Sequence, residues 1–163
     1  MTLAGAIILA HALVAIVFIA GLIGRWFTLG AAARADDLAA VRTLTGASEP
    51  FERMVTLGSM ILLVLGIAAA IAVGRPFLGP IQGGTVDWLF VSVVLYVSII
   101  PLVPLVFLPR GRVFAAALAE AEAHGEYTPV LRAAFHDPVT RAAHVYELGA
   151  VTAILALMLA KPF

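Results

Sequence analysis

In this chain of 163 residues, 63% are hydrophobic and 12% are charged, and ten basic residues balance ten acidic ones. A soluble domain is about half apolar and about a quarter charged, so the composition excludes an ordinary water-soluble globule and indicates one integral membrane domain over residues 1–163. The absence of cysteine excludes disulfides, thiolate metal sites and cysteine nucleophiles.

The first apolar run, Leu3 to Gly24, holds twenty-two residues without a formal charge and ends at Arg25. That length crosses the ~30 Å hydrocarbon core of a bilayer as a helix. With no basic n-region and an apolar run beyond about 15 residues, it reads as a permanent span rather than a cleaved signal. Three more runs follow, giving spans at about 3–24, 54–73, 88–108 and 143–160. Irregular backbone cannot face lipid, so the expected fold is all-α, a transmembrane four-helix bundle.

Between the first two spans, Asp36–Leu44 (DDLAAVRTL) predicts a short amphipathic helix closed by Gly46. Ser48-Glu49-Pro50 then predicts the start of the second helix, with serine as N-cap and proline in the first turn, and Gly74 and Pro76 predict its stop. Gly83-Gly84 marks a turn before the third span. Pro101 and Pro104 lie inside that span and predict a kink. Gly111–His124 (GRVFAAALAEAEAH) predicts a second amphipathic helix outside the membrane. Asp137-Pro138 predicts the cap and first position of the fourth helix.

Arginine placement sets an orientation. Arg25, Arg34, Arg42 and Arg53 follow the first span and Arg110, Arg112, Arg132 and Arg141 follow the third, whereas the other side has only Arg75 and Lys161. The positive-inside rule then puts both termini outside and two sizeable loops in the cytoplasm of a bacterial inner membrane. Trp26 and Trp88 sit at span ends, where interfacial aromatics belong.

Polar groups within spans are costly and mark candidate sites. His11 lies roughly 12 Å below the outer boundary on the helical rise, and Tyr96 lies at the same depth of roughly 12 Å in the third span, so the two can meet if their helices are neighbours. Arg141, His144 and Glu147 follow one another at steps of three on the fourth helix, near the level of Arg25 and Arg53, and predict an ionic cluster in which Glu147 pairs with Arg25 or Arg53. His124 and His136 fall in polar segments and read as solvated or capping residues. A haem b would use His11 as axial ligand; His144 lies roughly 15 Å away in height and cannot share that iron. No phosphate-binding glycine loop, nucleophile elbow, zincin motif or nucleic-acid motif occurs.

His11, followed by Phe18 and Gly21, resembles the His–aromatic–Gly pattern that opens several small bacterial membrane families. The chain looks like an uncharacterised "predicted integral membrane protein" family of this length, whose members have four spans and of which many end in Lys-Pro, as in Lys161-Pro162-Phe163. More distantly it is similar to copper-resistance D-type proteins and HemJ-type protoporphyrinogen oxidases, relatives that imply haem, porphyrin or copper with His11 as the one residue carried over. Phe18 stands where the oxidases have tryptophan, and the third span lacks their lysine. The sequence therefore predicts a small membrane binding or accessory subunit, partnered by the lipid bilayer and by another membrane protein or a second copy. The alternative is a haem- or porphyrin-binding redox protein ligated through His11.

Overall fold

The computed structural model describes residues 2–162, so Phe163 of the Lys161-Pro162-Phe163 ending lies outside the described residues. All regular structure among them is helical: α1 (Leu3–Ala32), α2 (Leu38–Ala72), a 3-10 turn (Gly79–Gln82), α3 (Trp88–Ile99), a π-turn (Val103–Phe107), α4 (Leu108–His124), α5 (Pro129–Phe135) and α6 (Pro138–Ala160). The chain groups into two compact units, Met1–Ala35 with Ala39–Phe77 and Asp36–Leu38 with Leu78–Phe163.

Four helical stretches are long and apolar enough to span a membrane: Leu3–Ala32, Leu38–Ala72, Trp88–His124 and Pro129–Ala160. Most of each apolar stretch faces outward rather than into the protein. Leu13, Ile16, Leu57, Val64, Leu105 and Leu159 are all exposed. In water such surfaces would be an aggregation hazard; in a bilayer they are the lipid-facing side of each rod.

In the first unit, the Thr2 hydroxyl accepts from the Gly5 N–H at 3.2 Å and so caps α1. The expected short helix over Asp36–Leu44, closed by Gly46, does not form separately. One helix runs from Leu38 through Gly46 and Pro50 to Ala72. Proline in a helix interior removes one bond to the residue four back, here Gly46, which is exposed and whose carbonyl can be hydrated instead. Ser48 turns inward and donates to the Thr45 carbonyl at 2.7 Å rather than capping a new helix. The predicted stop is where expected. Gly74 takes φ +68, its N–H bonds Ile71 O and the Arg75 N–H bonds Ala70 O, a Schellman ending.

In the second unit, Asp87 caps α3, its Oδ1 accepting from the Phe90 N–H at 2.9 Å. The expected kink takes a definite form. α3 ends at Ile99, just before Pro101, and the chain resumes through the π-turn, which contains Pro104, directly into α4. The amphipathic helix expected at Gly111 therefore starts at Leu108 and continues the third span without a loop. Asp137 caps α6 with Pro138 at its first position, as predicted. The same signal opens α5, a helix the sequence reading passed over. Thr128 caps it and Pro129 follows. Gly83, at φ +76, ends the 3-10 turn at the predicted Gly-Gly.

Candidate functional site

The first unit is a close-packed antiparallel pair in which glycines set the separation. A Cβ at Gly21 would stand 2.8 Å from Met54 Cβ and 3.0 Å from the Phe51 carbonyl, and one at Gly58 would stand 3.2 Å from Phe18 Cβ. Descending α1 through residues 11, 18, 21 and 24, the partners ascend α2 through 66, 58, 54 and 51. Small residues let two backbones approach where lipid supplies no hydrophobic drive.

His11 lies at the far end of this seam, with its ring edge on Gly66. A Cβ there would sit 3.2 Å from Cε1 and 3.6 Å from Nδ1. The Leu62 backbone carbonyl faces the imidazole as its hydrogen-bond partner. That carbonyl is the one residue 66 bonds within an α-helix, and it keeps a second lone pair. Glycine at 66 leaves the approach to it open. Nδ1 is buried and has no hydrogen-bond partner among the described residues. The ring is thus anchored on one side and carries an orphaned polar atom at membrane depth, a group that costs free energy until something meets it.

The second unit pairs α6 antiparallel to the α3–α4 rod through a ladder of polar and aromatic ties. Lys161 Nζ lies 5.6 Å from the Trp88 ring centre. The Ser98 and Tyr146 hydroxyls are hydrogen-bonded at 2.6 Å. The His144 imidazole stacks on Phe107, centroids 4.8 Å apart and planes 22° from parallel. Arg110 donates to Asp137 at 2.8 Å, while Asp137 also caps α6 through the Thr140 N–H. The π-turn presents Phe107 to His144, and shifted helical registers of this kind recur at functional sites.

Glu147 is 5% exposed, in a stripe with Ala143, Ala150 and Val151. Arg141, expected on the same face, is exposed, and His144 is half-buried. Each step of three falls about 60° short of a full turn, so Arg141 and Glu147 are about 120° apart around the helix. The trio is a spiral rather than a face. Arg53 is exposed and lies 3.7 Å from Glu49, one turn away on α2. His11, Arg25 and Arg53 belong to the first unit, and Tyr96, Arg141, His144 and Glu147 to the second. His124 and His136 are exposed, and each bonds the carbonyl four residues back, Glu120 O at 2.8 Å and Arg132 O at 2.9 Å. The sequence did not foretell three pairings, Gly66 with His11, Phe107 with His144 and Ser98 with Tyr146. Gly66 is legible as a small residue for close helix packing and Ser98 and Tyr146 as costly polar groups within spans, but the partner of each is not.

Four long apolar rods, internally tied by hydroxyl, imidazole and glycine contacts and coated with exposed aliphatic side chains, define a multi-pass integral membrane protein. Residues 6–162 match the predicted integral membrane protein family DUF2269, and the chain belongs to that family. No curated protein and no solved structure matches it.

Proposed function

We propose that the protein is a small binding or accessory subunit of a bacterial inner membrane, with both termini outside and the arginine-rich segments in the cytoplasm. The observation that carries this reading is the use made of intramembrane polar groups. Ser98 and Tyr146 bond each other, His144 stacks on Phe107 and His11 leans on the α2 backbone. These contacts hold helices in pairs, which is what a scaffold needs. The orientation draws on the eight-to-two arginine and lysine bias of the loops. Glu147, buried within a membrane-spanning helix, is read as a structural carboxylate held by a basic or hydrogen-bond-donating partner.

A second reading, a haem b or porphyrin protein ligated by His11, draws on the orphaned Nδ1 and on the distant likeness to the copper-resistance and protoporphyrinogen oxidase proteins. The packing restricts it: Cε1 and Nδ1 both face Gly66 and Nδ1 is buried, so an iron could take that nitrogen only if α1 and α2 moved apart there.

One preparation tests both readings. Protein purified from haem-replete cells should be colourless; a Soret band that disappears in His11→Ala would replace the accessory reading with the haem one. The cysteine-free chain also permits single-cysteine labelling. Thr85→Cys should react with an impermeant maleimide on intact spheroplasts and Glu126→Cys only after permeabilisation. The reverse pattern would invert the topology.

A further inference from the structure

The segment leading into α6 carries a groove that the helix-pairing contacts do not use. Thr128 caps α5, and Leu131 is fully buried. Phe135 meets Phe114 edge-on at 4.8 Å, which fixes α5 against α4. With that face occupied, Tyr127, Pro129, Arg132, Ala133 and His136 line a groove of about 510 Å³.

Its polar groups are poised and unspent. The Tyr127 hydroxyl is buried and has no hydrogen-bond partner among the described residues. The Arg132 guanidinium carbon lies 4.8 Å from the centre of the same ring. Stacked over an aromatic face, a guanidinium keeps its edge N–H donors for a second partner. Among the described residues no carboxylate lies within ion-pair distance of Arg132. The nearest acid along α6 is committed elsewhere, since Asp137 accepts from Arg110 and from the Thr140 N–H. His136 uses Nδ1 to donate to the Arg132 carbonyl, which leaves Nε2 as its second polar atom. Glu126, beside Tyr127 in the chain, is exposed.

A guanidinium stacked on an aromatic ring and paired with no carboxylate presents two parallel N–H donors suited to a tetrahedral or planar oxyanion. We propose that this groove binds a phosphate ester, held by Arg132; the Tyr127 hydroxyl, closed to solvent and without an acceptor, joins as a third donor by a turn of its ring. Helix α6 crosses the membrane directly after it, so the groove lies at head-group level and the source is an anionic phospholipid. The choice of lipid as source rests on the membrane-subunit reading above; the phosphate site itself does not.

The test uses the full chain in detergent, titrated with phosphatidylglycerol or phosphatidylcholine by native mass spectrometry, and with glycerol 3-phosphate by calorimetry. Phosphatidylglycerol should bind more tightly than phosphatidylcholine. Arg132→Gln should weaken it roughly tenfold and Tyr127→Phe a few-fold, as expected for loss of charge-assisted and neutral donors. Arg34→Gln, an equal charge change in the other loop, should alter binding less than about twofold. Thermal melts confirm that each variant is folded. Arg132-dependent binding of glycerol 3-phosphate without lipid selectivity would keep the phosphate site and make its source soluble. Phosphatidylglycerol binding unchanged in folded Arg132→Gln, or no binding of either ligand, would overturn the proposal. An inverted topology would show in the maleimide pattern, separately from these titrations.

Discussion

Glu147→Ala should destabilise the folded protein by about 3–5 kcal/mol, more than any other truncation in α6. The residue is 5% exposed and shares its stripe with Ala143, Ala150 and Val151. A carboxylate in such a place persists only if an opposite charge or hydrogen-bond donors meet it, because the bare ion costs many kcal/mol to desolvate. Removing it strands those donors as well as the space it filled. Glu147→Gln separates the contributions. It keeps the shape and one acceptor but no charge, so a cationic partner makes it nearly as costly as alanine. The control is Glu52→Ala on α2, an exposed site where the change should stay within about 0.5 kcal/mol. Unfolding in mixed detergent micelles, followed by helical circular dichroism, measures all three. A Glu147→Ala protein as stable as the parent would remove the carboxylate from any structural role.

The four spans are legible because the bilayer imposes one length and one composition on whatever crosses it. Asp137-Pro138 and Gly74 are equally legible, since each encodes a backbone geometry that few residues supply. The continuity of α2 is not. Ser48-Glu49-Pro50 looks the same at a helix start and in a helix interior, because proline needs only φ near −65°, which both provide. What differs is whether the preceding turn is already helical, and the run from Leu38 to Thr45 makes it so. At Pro101 and Pro104 the sequence marks a disruption but not its form. A π-turn returns the chain to helix by spreading the missing bonds over a wider loop.

The site was legible only in part, for a related reason. His11 stands out because imidazole is rare in oil. Its neighbour Gly66 has no polar signature, and its role follows from the register of two helices 55 residues apart along the chain. Registers of that kind reside in long-range packing, not in local pattern. The groove around Tyr127 and Arg132 escaped for the opposite reason. Its residues are ordinary in any polar loop, and only the fixing of α5 by Leu131 and Phe135 brings them to one wall.

Gly21→Leu should separate α1 from α2, and Gly21→Ala alone should cost about 1–3 kcal/mol. A Cβ at residue 21 would meet Met54 Cβ at 2.8 Å and the Phe51 carbonyl oxygen at 3.0 Å. Both atoms are carried rigidly by α2, so relief requires the whole helix to move. Alanine gains at most about 1 kcal/mol over glycine in intrinsic helix preference, which does not offset a clash with a neighbouring backbone. Gly24→Ala should be milder, although its Cβ would come 2.4 Å from the Phe51 ring, because that ring can swing aside. Gly149→Ala reverses the sign. Nothing lies within 4 Å of a Cβ there, and the helix preference is left unopposed. The order of unfolding midpoints should therefore run Gly149→Ala highest, then the parent, Gly24→Ala, Gly21→Ala and Gly21→Leu. Gly66→Ala adds a chemical readout, since a Cβ 3.2 Å from His11 Cε1 pushes the imidazole off the Leu62 carbonyl. Its ring-nitrogen NMR resonances should shift in Gly66→Ala and stay in place in Gly149→Ala. Equal midpoints for Gly21→Ala and Gly149→Ala would mean that the two helices do not touch along this seam.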